Sequence, residues 1–439
     1  MIKHYATTLH SDLRHEQVDR ESDTYVGTIA LKPSKAFQTM KGFGGAFTEA
    51  AAYTLSLMPE HKRKEVLKAY FDPEEGLNYN LGRVHINSCD FSLENYTYVE
   101  ENDTDLKSFD ISREKQWVIP MIKDAEAVRG NTIELLASPW SPPGWMKTNG
   151  KMNEGGKLQP EYYQSWADYY VKFIDAFKEE NLSIFAISVQ NEPAAKQTWD
   201  SCIYTAEEER DFVKNYLGPT LEKSPHENVG IIVWDHNRDV LVERAKTIYD
   251  DQEAKKYVWG TGIHWYVSEA FENLSIVHDM APDKHILFTE GCVEGGVQLQ
   301  VFENGERYAR NMIGDIQNYC EGYIDWNLTL NEIGGPNHVG NYCDAPIIAD
   351  TQEKELHYNV SYYAIAHFSK HVRPGAKRIH SKGNDTNVSH VAFLNQDGSL
   401  VLVLQNETDQ DETIQINIKG KTTNQRIEKR SISTIIAEV

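Results

Sequence analysis

The sequence predicts a (β/α)8 TIM barrel with an antiparallel β-sandwich attached, and three observations carry that prediction. Eight short apolar runs alternate with longer helical patterns between about residues 40 and 370. From about residue 376 the apolar period drops to two. Polar and aromatic residues follow the runs, where a parallel barrel carries its chemistry, at the C-terminal ends of its strands.

Strands are expected over 42–47, 82–87, 133–138, 184–189, 229–234, 261–266, 285–289 and 322–327. Each run is short and mostly apolar, as strands covered on both faces are. Between them, 160–180 places Tyr162, Trp166, Tyr169, Tyr170, Phe173 and Phe177 near one face of a helical period, and 206–216 and 240–249 read similarly. Beyond the barrel, Val391 and Phe393, then Leu400, Leu402 and Leu404, then Ile414, Ile416 and Ile418 alternate with polar neighbours. Asp397-Gly398 and Lys419-Gly420 supply the turns between them. About 65 residues make a small independent core, so this piece should recruit an N-terminal strand around 25–31. The expected division is 1–38 for N-terminal strands of the sandwich, 39–373 for the catalytic barrel and 374–439 for the C-terminal sandwich.

Composition narrows the function. The chain of 439 residues has 44 basic against 66 acidic residues, a net charge of −22. Phosphate backbones and anionic lipid surfaces repel such a chain, so no nucleic-acid partner is expected. No apolar stretch approaches the roughly 18 residues of a membrane span. The first residues show no apolar core with a cleavage site, and the five cysteines are scattered without a CxxC pair. Reduced thiols and a cytoplasmic location are the expectation. The oligomeric state is not legible.

The most informative segment is Gln190-Asn191-Glu192-Pro193, at the end of the fourth run. Proline cannot donate to a sheet ladder, so the strand stops there and leaves Glu192 at its lip. Thr289-Glu290-Gly291 repeats the arrangement at the end of the seventh run. Taken singly, each is a turn with a solvated acid; taken together on one barrel mouth, two carboxylates are the equipment for cleaving a glycosidic bond. Arg83, inside the second run, either bridges barrel layers or pairs with Glu290 and holds it ionised as a nucleophile. Asp90 follows the same run and could accept sugar hydroxyls. Three prolines stiffen the loop that carries Trp140 and Trp145, and Trp140 is the better platform for a sugar face. His264 is a substrate contact or a satisfied core histidine. Tyr266 could donate to the nucleophile or to the ring oxygen, Trp326 could floor the pocket, and Asn191 could bind a 2-hydroxyl. As general acid, Glu192 should have a raised pKa.

Other chemistries find little support. No HExxH, HxH or Cys/His ligand spacing is present, so neither a metal nor any other cofactor is expected. No GxSxG elbow or phosphate loop appears, and Gly42-Phe43-Gly44-Gly45 reads as a close-packed strand.

The motifs GFGGAFTEAAA (42–52), RVHINSCDFS (83–92), SPWSPPGWMKTN (138–149), VQNEP (189–193), HWY (264–266), FTEGC (288–292) and DWNLTLNEIGGPN (325–337) resemble glycoside hydrolase family 30, in its glucosylceramidase-like branch. GNYCDAPIIAD (340–350) and AHFSKHVRPGAKRI (366–379) extend the likeness. The resemblance implies a retaining mechanism, with Glu192 as acid/base and Glu290 as nucleophile. It also implies a first sugar subsite of Asp90, Trp140, Asn191, Tyr266, Trp326 and Asn341. The expected activity is an exo-acting retaining β-glycosidase, foremost a β-glucosidase, on a small carbohydrate or glycoside. β-Xylosidase, β-fucosidase, glucosylceramidase and β-1,6-glucanase are alternatives on the same site. A carbohydrate-binding protein without catalysis is the alternative of another class.

Overall fold

The structure is a computed structural model that describes residues 2–418 and 420–437. Eight parallel strands close a barrel: Gly42–Ala46, Leu81–Ile86, Glu134–Pro139, Ser183–Ser188, Gly230–Asn237, Val258–His264, His285–Glu290 and Gly322–Asn327. These are strands one to eight, and each begins and ends within three residues of its apolar run. Leu81, Leu136, Ala186, Ile232, Leu287 and Ile324 fill the interior. The glycines of strand one do work as close packing: a Cβ on Gly44 would stand 2.0 Å from the Leu81 carbonyl oxygen.

The helices form the outer ring. Tyr163–Glu179 buries Trp166, Tyr169, Tyr170, Phe173 and Phe177 against the strands. Tyr162 falls in the 3-10 turn before it and packs on Trp145. Helix Ala206–Phe212 starts from a capping box of Thr205 and Glu208 and passes into a wide π turn at Val213–Leu217. Leu241–Tyr249 is the third of the helices read from the sequence.

The second unit is a nine-stranded sheet folded over on itself, into which both chain ends are woven. Strand Gly27–Thr39 is longer than the run that predicts it, and Ile2–Thr8 pairs along its whole length with Ser431–Ala437. One pairing departs from the antiparallel expectation, since Glu412–Ile418 runs parallel to Gly27–Thr39. The chain crosses there from one layer to the other and enters beside a strand already running that way.

Strand Leu400–Asn406 explains how the two units join. Leu400, Leu402 and Leu404 face the sandwich core, whereas Val401 and Val403 belong to the barrel's core cluster, with Val391, Phe393 and Ile432. Both faces of the strand are therefore buried. Polar contacts finish the seam: His367 bridges Thr7 and Thr434 at 2.9 Å each, and Gln405 donates to the Glu306 carbonyl at 2.9 Å. Phe393→Ala should cost about 3–5 kcal/mol. Calorimetry should show the whole chain melting earlier in one transition. A separate early transition for the sandwich would refute the rigid joint.

Candidate active site

Strand ends deliver the two carboxylates to one mouth. Glu192 follows strand four in a left-handed conformation, φ 49°, with its N–H bonded to the Asp235 carbonyl at 3.0 Å. Glu290 closes strand seven, where the register against strand six shifts between Phe288 and Glu290. An oxygen of each carboxylate lies within 4.8 Å of the other and of a His264 ring nitrogen.

Arg83 lies beneath the mouth with no exposed surface, and every donor of its guanidinium is used. Nη1 donates to Glu290 Oε2 at 2.7 Å and to the Thr289 carbonyl at 3.1 Å. Nη2 donates to Asp235 Oδ2 at 2.8 Å and to Asn191 Oδ1 at 3.0 Å, and Nε to Ser138 Oγ at 3.1 Å. Because the Asn191 oxygen is spent on Arg83, its amide nitrogen is left to donate to a ligand. The other Glu290 oxygen, Oε1, accepts from the Tyr266 hydroxyl at 2.9 Å.

His264 does not reach the cavity, which corrects its expected role as a substrate contact. It is fully buried and spans Glu192 Oε1 at 3.2 Å and Asp235 Oδ1 at 3.1 Å. His236 Nε2 lies 3.7 Å from the same Glu192 oxygen. Asp235 and His236 were not legible as site residues, because the fifth run reads as ending at Trp234. The strand instead continues to Asn237 through an irregularity between Trp234 and His236, with Trp234 and Asp235 both at positive φ. That kink turns Asp235 inward.

The cavity above has a volume of about 420 Å³ and is lined by Asp90, Trp140, Asn191, Glu192, Tyr266, Glu290, Trp326 and Asn341. Trp140 and Trp326 stack with ring centres 5.1 Å apart and the Arg83 guanidinium beneath, 4.8 Å from the Trp140 ring. Asp90 lines the same cavity, its Oδ2 accepting from Asn341 Nδ2 at 3.0 Å and Asn337 Nδ2 at 3.2 Å. The next residue, His338, pairs with buried Asp200 at 3.0 Å and so pins the loop after strand eight. Asn337, His338 and Asp200 carried no sequence signal of their own. A larger cavity of about 790 Å³ lies at the barrel–sandwich seam, among His15, Lys370, His371 and Arg373, far from the paired glutamates.

The "Glycosyl hydrolase family 30 TIM-barrel domain" matches residues 40–372, and the "Glycosyl hydrolase family 30 beta sandwich domain" matches 375–435. The chain belongs to glycoside hydrolase family 30. This family 30 hydrolase is 36% identical to the lysosomal acid glucosylceramidase of Mus musculus over 408 residues, 89% of this chain and 79% of that one. It is 27% identical to an endo-1,6-β-D-glucanase of Neurospora crassa, covering 91% of this chain and 85% of the relative. Among solved structures, SrfJ from Salmonella typhimurium superimposes with a TM-score of 0.95 at 36% identity, over the whole of both chains. The endo-β1,6-glucanase BT3312 gives 0.90 at 31%, over 100% of this chain and 99% of that one.

In the family 30 site, the charges are arranged differently from the expectation that Glu192 is high and Glu290 low. Burial raises Glu192, but His236 and His264 outweigh it and hold the carboxyl down at about 2. Burial raises Glu290 as well, and the pull of His264 and Arg83 does not fully cancel it while Glu192 pushes the same way. Burial works against His264, yet Glu290, Asp235 and Glu192 together lift it to about 9. The reversal at Glu192 thus stems from His236 and His264, the two imidazoles that stand against its carboxyl. Glu192, His264 and Glu290 come close enough to ligate a cation, but Arg83 already meets Glu290 and the imidazolium already carries positive charge. The set suits a shared proton better than a metal.

A folded pKa of about 9 for His264, against 6.5 unfolded, means the folded state binds more protons between those values. Its contribution to stability is therefore complete below about 6.5 and fades as pH rises through about 9. Urea unfolding across that range should show the decline, and His264→Gln should flatten it. An unchanged slope in the variant would assign the effect to another group.

Proposed function

We propose that this family 30 hydrolase is an exo-acting, retaining β-glucosidase, with Glu290 as nucleophile and Glu192 as acid/base. The observation that carries the reading is the pair of carboxylates with oxygens within 4.8 Å, on a single cavity walled by Asp90, Trp140, Trp326 and Asn341. About 420 Å³ takes one pyranose and the first atoms of what it is attached to.

Donors on both oxygens of Glu290, Arg83 on one and Tyr266 on the other, favour the carboxylate form and fix its direction of attack. In the first step a Glu290 oxygen bonds to the anomeric carbon, the bond from that carbon to the leaving oxygen breaks, and Glu192 protonates the leaving oxygen. Glu192 draws the proton from His264 across their hydrogen bond. Esterification removes the Glu290 charge, one of the charges that hold the His264 proton. Glu192 then takes a proton from water in the second step, and the hydroxide oxygen displaces Glu290.

The rim favours a substrate with an apolar aglycone. Val267, Leu299, Val301, Ile333 and Tyr342 are 66%, 44%, 36%, 52% and 38% exposed, all on loops after strands six, seven and eight. That agrees with relatives named glucosylceramidase. The relatives named endo-1,6-β-glucanase favour the second reading, cleavage within a β-1,6-glucan, which product analysis separates: glucose alone against a ladder of oligosaccharides.

Glu290→Gly should lose turnover while keeping its fold, and azide should restore activity with an α-glycosyl azide as product. A β-azide would make Glu192 the nucleophile. In Glu192→Ala the loss should be about 10²–10⁴-fold for glucosides with poor leaving groups. Dinitrophenyl glucosides need no proton and should be cleaved in the first step almost as before. Equal losses on both substrates would remove Glu192 from the acid/base role.

A further inference from the structure

Two thiols stand beside the nucleophile with no part in the chemistry above. Cys292 follows Glu290 by two residues, and Cys343 lies on the loop after strand eight; both are at the cavity wall, only 3% and 4% exposed. An isolated antiparallel bridge pairs Glu294 with Cys343, and the Asp344 N–H donates to the Val293 carbonyl at 2.8 Å. Cys292 and Cys343 are thus diagonal neighbours on one face of a two-stranded contact. The Cys292 sulfur also lies 3.5 Å from the Tyr266 hydroxyl, which donates to Glu290 at 2.9 Å. A hydrogen bond with the Cys343 thiol, followed by burial, pushes the Cys292 pKa well up. The remaining cysteines, Cys89, Cys202 and Cys320, are buried and do not line the cavity.

We propose that Cys292 and Cys343 are a thiol modification site that closes to a disulfide and shuts the hydrolase off. The inference rests on Glu290 acting as nucleophile. Diagonal positions of a β-bridge are about 7–8 Å apart, just beyond the roughly 4.4–6.8 Å between Cα atoms that a disulfide spans without backbone movement. Closure therefore draws the loops after strands seven and eight together, over glycines at positive φ, Gly295 and Gly296 on one side and Gly334 and Gly340 on the other. It takes the Cys292 sulfur away from Tyr266, and the hydroxyl that orients Glu290 moves with its neighbour. A stretched bond of this kind is readily reduced, which makes the modification reversible.

The oxidant is a small-molecule disulfide, RSSR, able to enter the open mouth. Cys343 loses its proton, and its sulfur attacks RSSR to form a mixed disulfide, releasing RS⁻, because the Cys292 thiol is held in its protonated form. The second cysteine gives up its proton, attacks the first cysteine's sulfur and releases the other RS⁻. Two protons leave the protein, and two electrons pass to the RS sulfurs.

The test treats the whole protein with hydroxyethyl disulfide, traps the remaining thiols with iodoacetamide and digests it. Mass spectrometry should find the peptides carrying Cys292 and Cys343 joined, two hydrogens lighter than their sum. Glucosidase activity should fall about tenfold or more and return with dithiothreitol. For Cys343→Ser and Cys292→Ser, each variant is compared with its own untreated sample, and the treated-to-untreated ratio should stay near one. Lost activity without the joined peptides would overturn the assignment, and joined peptides without lost activity would overturn the switch. A protein that hydrolyses no β-glycoside yet yields the joined peptides would sink the proposed function and leave the thiol pairing standing.

Discussion

The buried guanidinium of Arg83 is the constraint around which the mouth of this barrel is built. A cation with no exposed surface is stable only where every donor meets an acceptor. Here the acceptors come from the ends of strands three, four, five and seven, gathered on a donor from strand two. The register of those strands, and the kink that aims Asp235 inward, are set by one planar fork. Two of the partners, Asn191 and Glu290, have a second atom facing the cavity, so the charge that holds the barrel end together also aims the reactive groups. Trp140 and Trp326 above it shield the pair from water while offering flat faces to a sugar.

Asp235 and His264 complete that charge balance. Burial alone would raise Asp235, but Arg83 and His264 hold it well below the usual carboxylate range. Asp235 can therefore stand as a fixed anion between two cations. His264 links this anion to Glu192, so protonation of the Glu192 carboxyl is governed from below as well as from the cavity above. Asp90, at the opposite wall, is lifted to about 7 by burial, with Asn341 pulling it back and Glu290 pushing it up. A carboxyl poised there can both accept and donate to a sugar hydroxyl near neutral pH.

Much of this was legible in the residues. Strand runs bounded by proline and glycine placed Glu192 and Glu290 on one rim, because strand order and direction in a closed barrel leave them no other. Arg83 could be paired with Glu290 because a buried arginine demands an acid. The misses have a common physical cause. Asp235 and His236 lie on an irregular turn of strand five, where period-two reading stops, and the pinning of Asn337 by its neighbours is long-range. His264 was placed on the correct strand with a substrate contact and a buried core position both open, since alternation cannot say how deep within the mouth a side chain sits. In the sandwich, the apolar alternation of 400–404 told which residues face its core, while Val401 and Val403 showed their purpose only once the barrel lay against them.

The pairing of the first strand with the last has a consequence for how this chain is made. Residues 2–8 leave the ribosome before their partner, 431–437, with more than four hundred residues between them. At about 5–20 residues per second, the segment waits for roughly 20 to 85 seconds with an unsatisfied edge. Tyr5 and Ala6 belong to a strand whose backbone donors must meanwhile be kept from other chains. Rates of translation and the chaperones present near the exit tunnel therefore bear on yield more strongly here than in a barrel whose ends close locally. The sandwich cannot close until 431–437 is made, and the strand 2–8 waits for that partner.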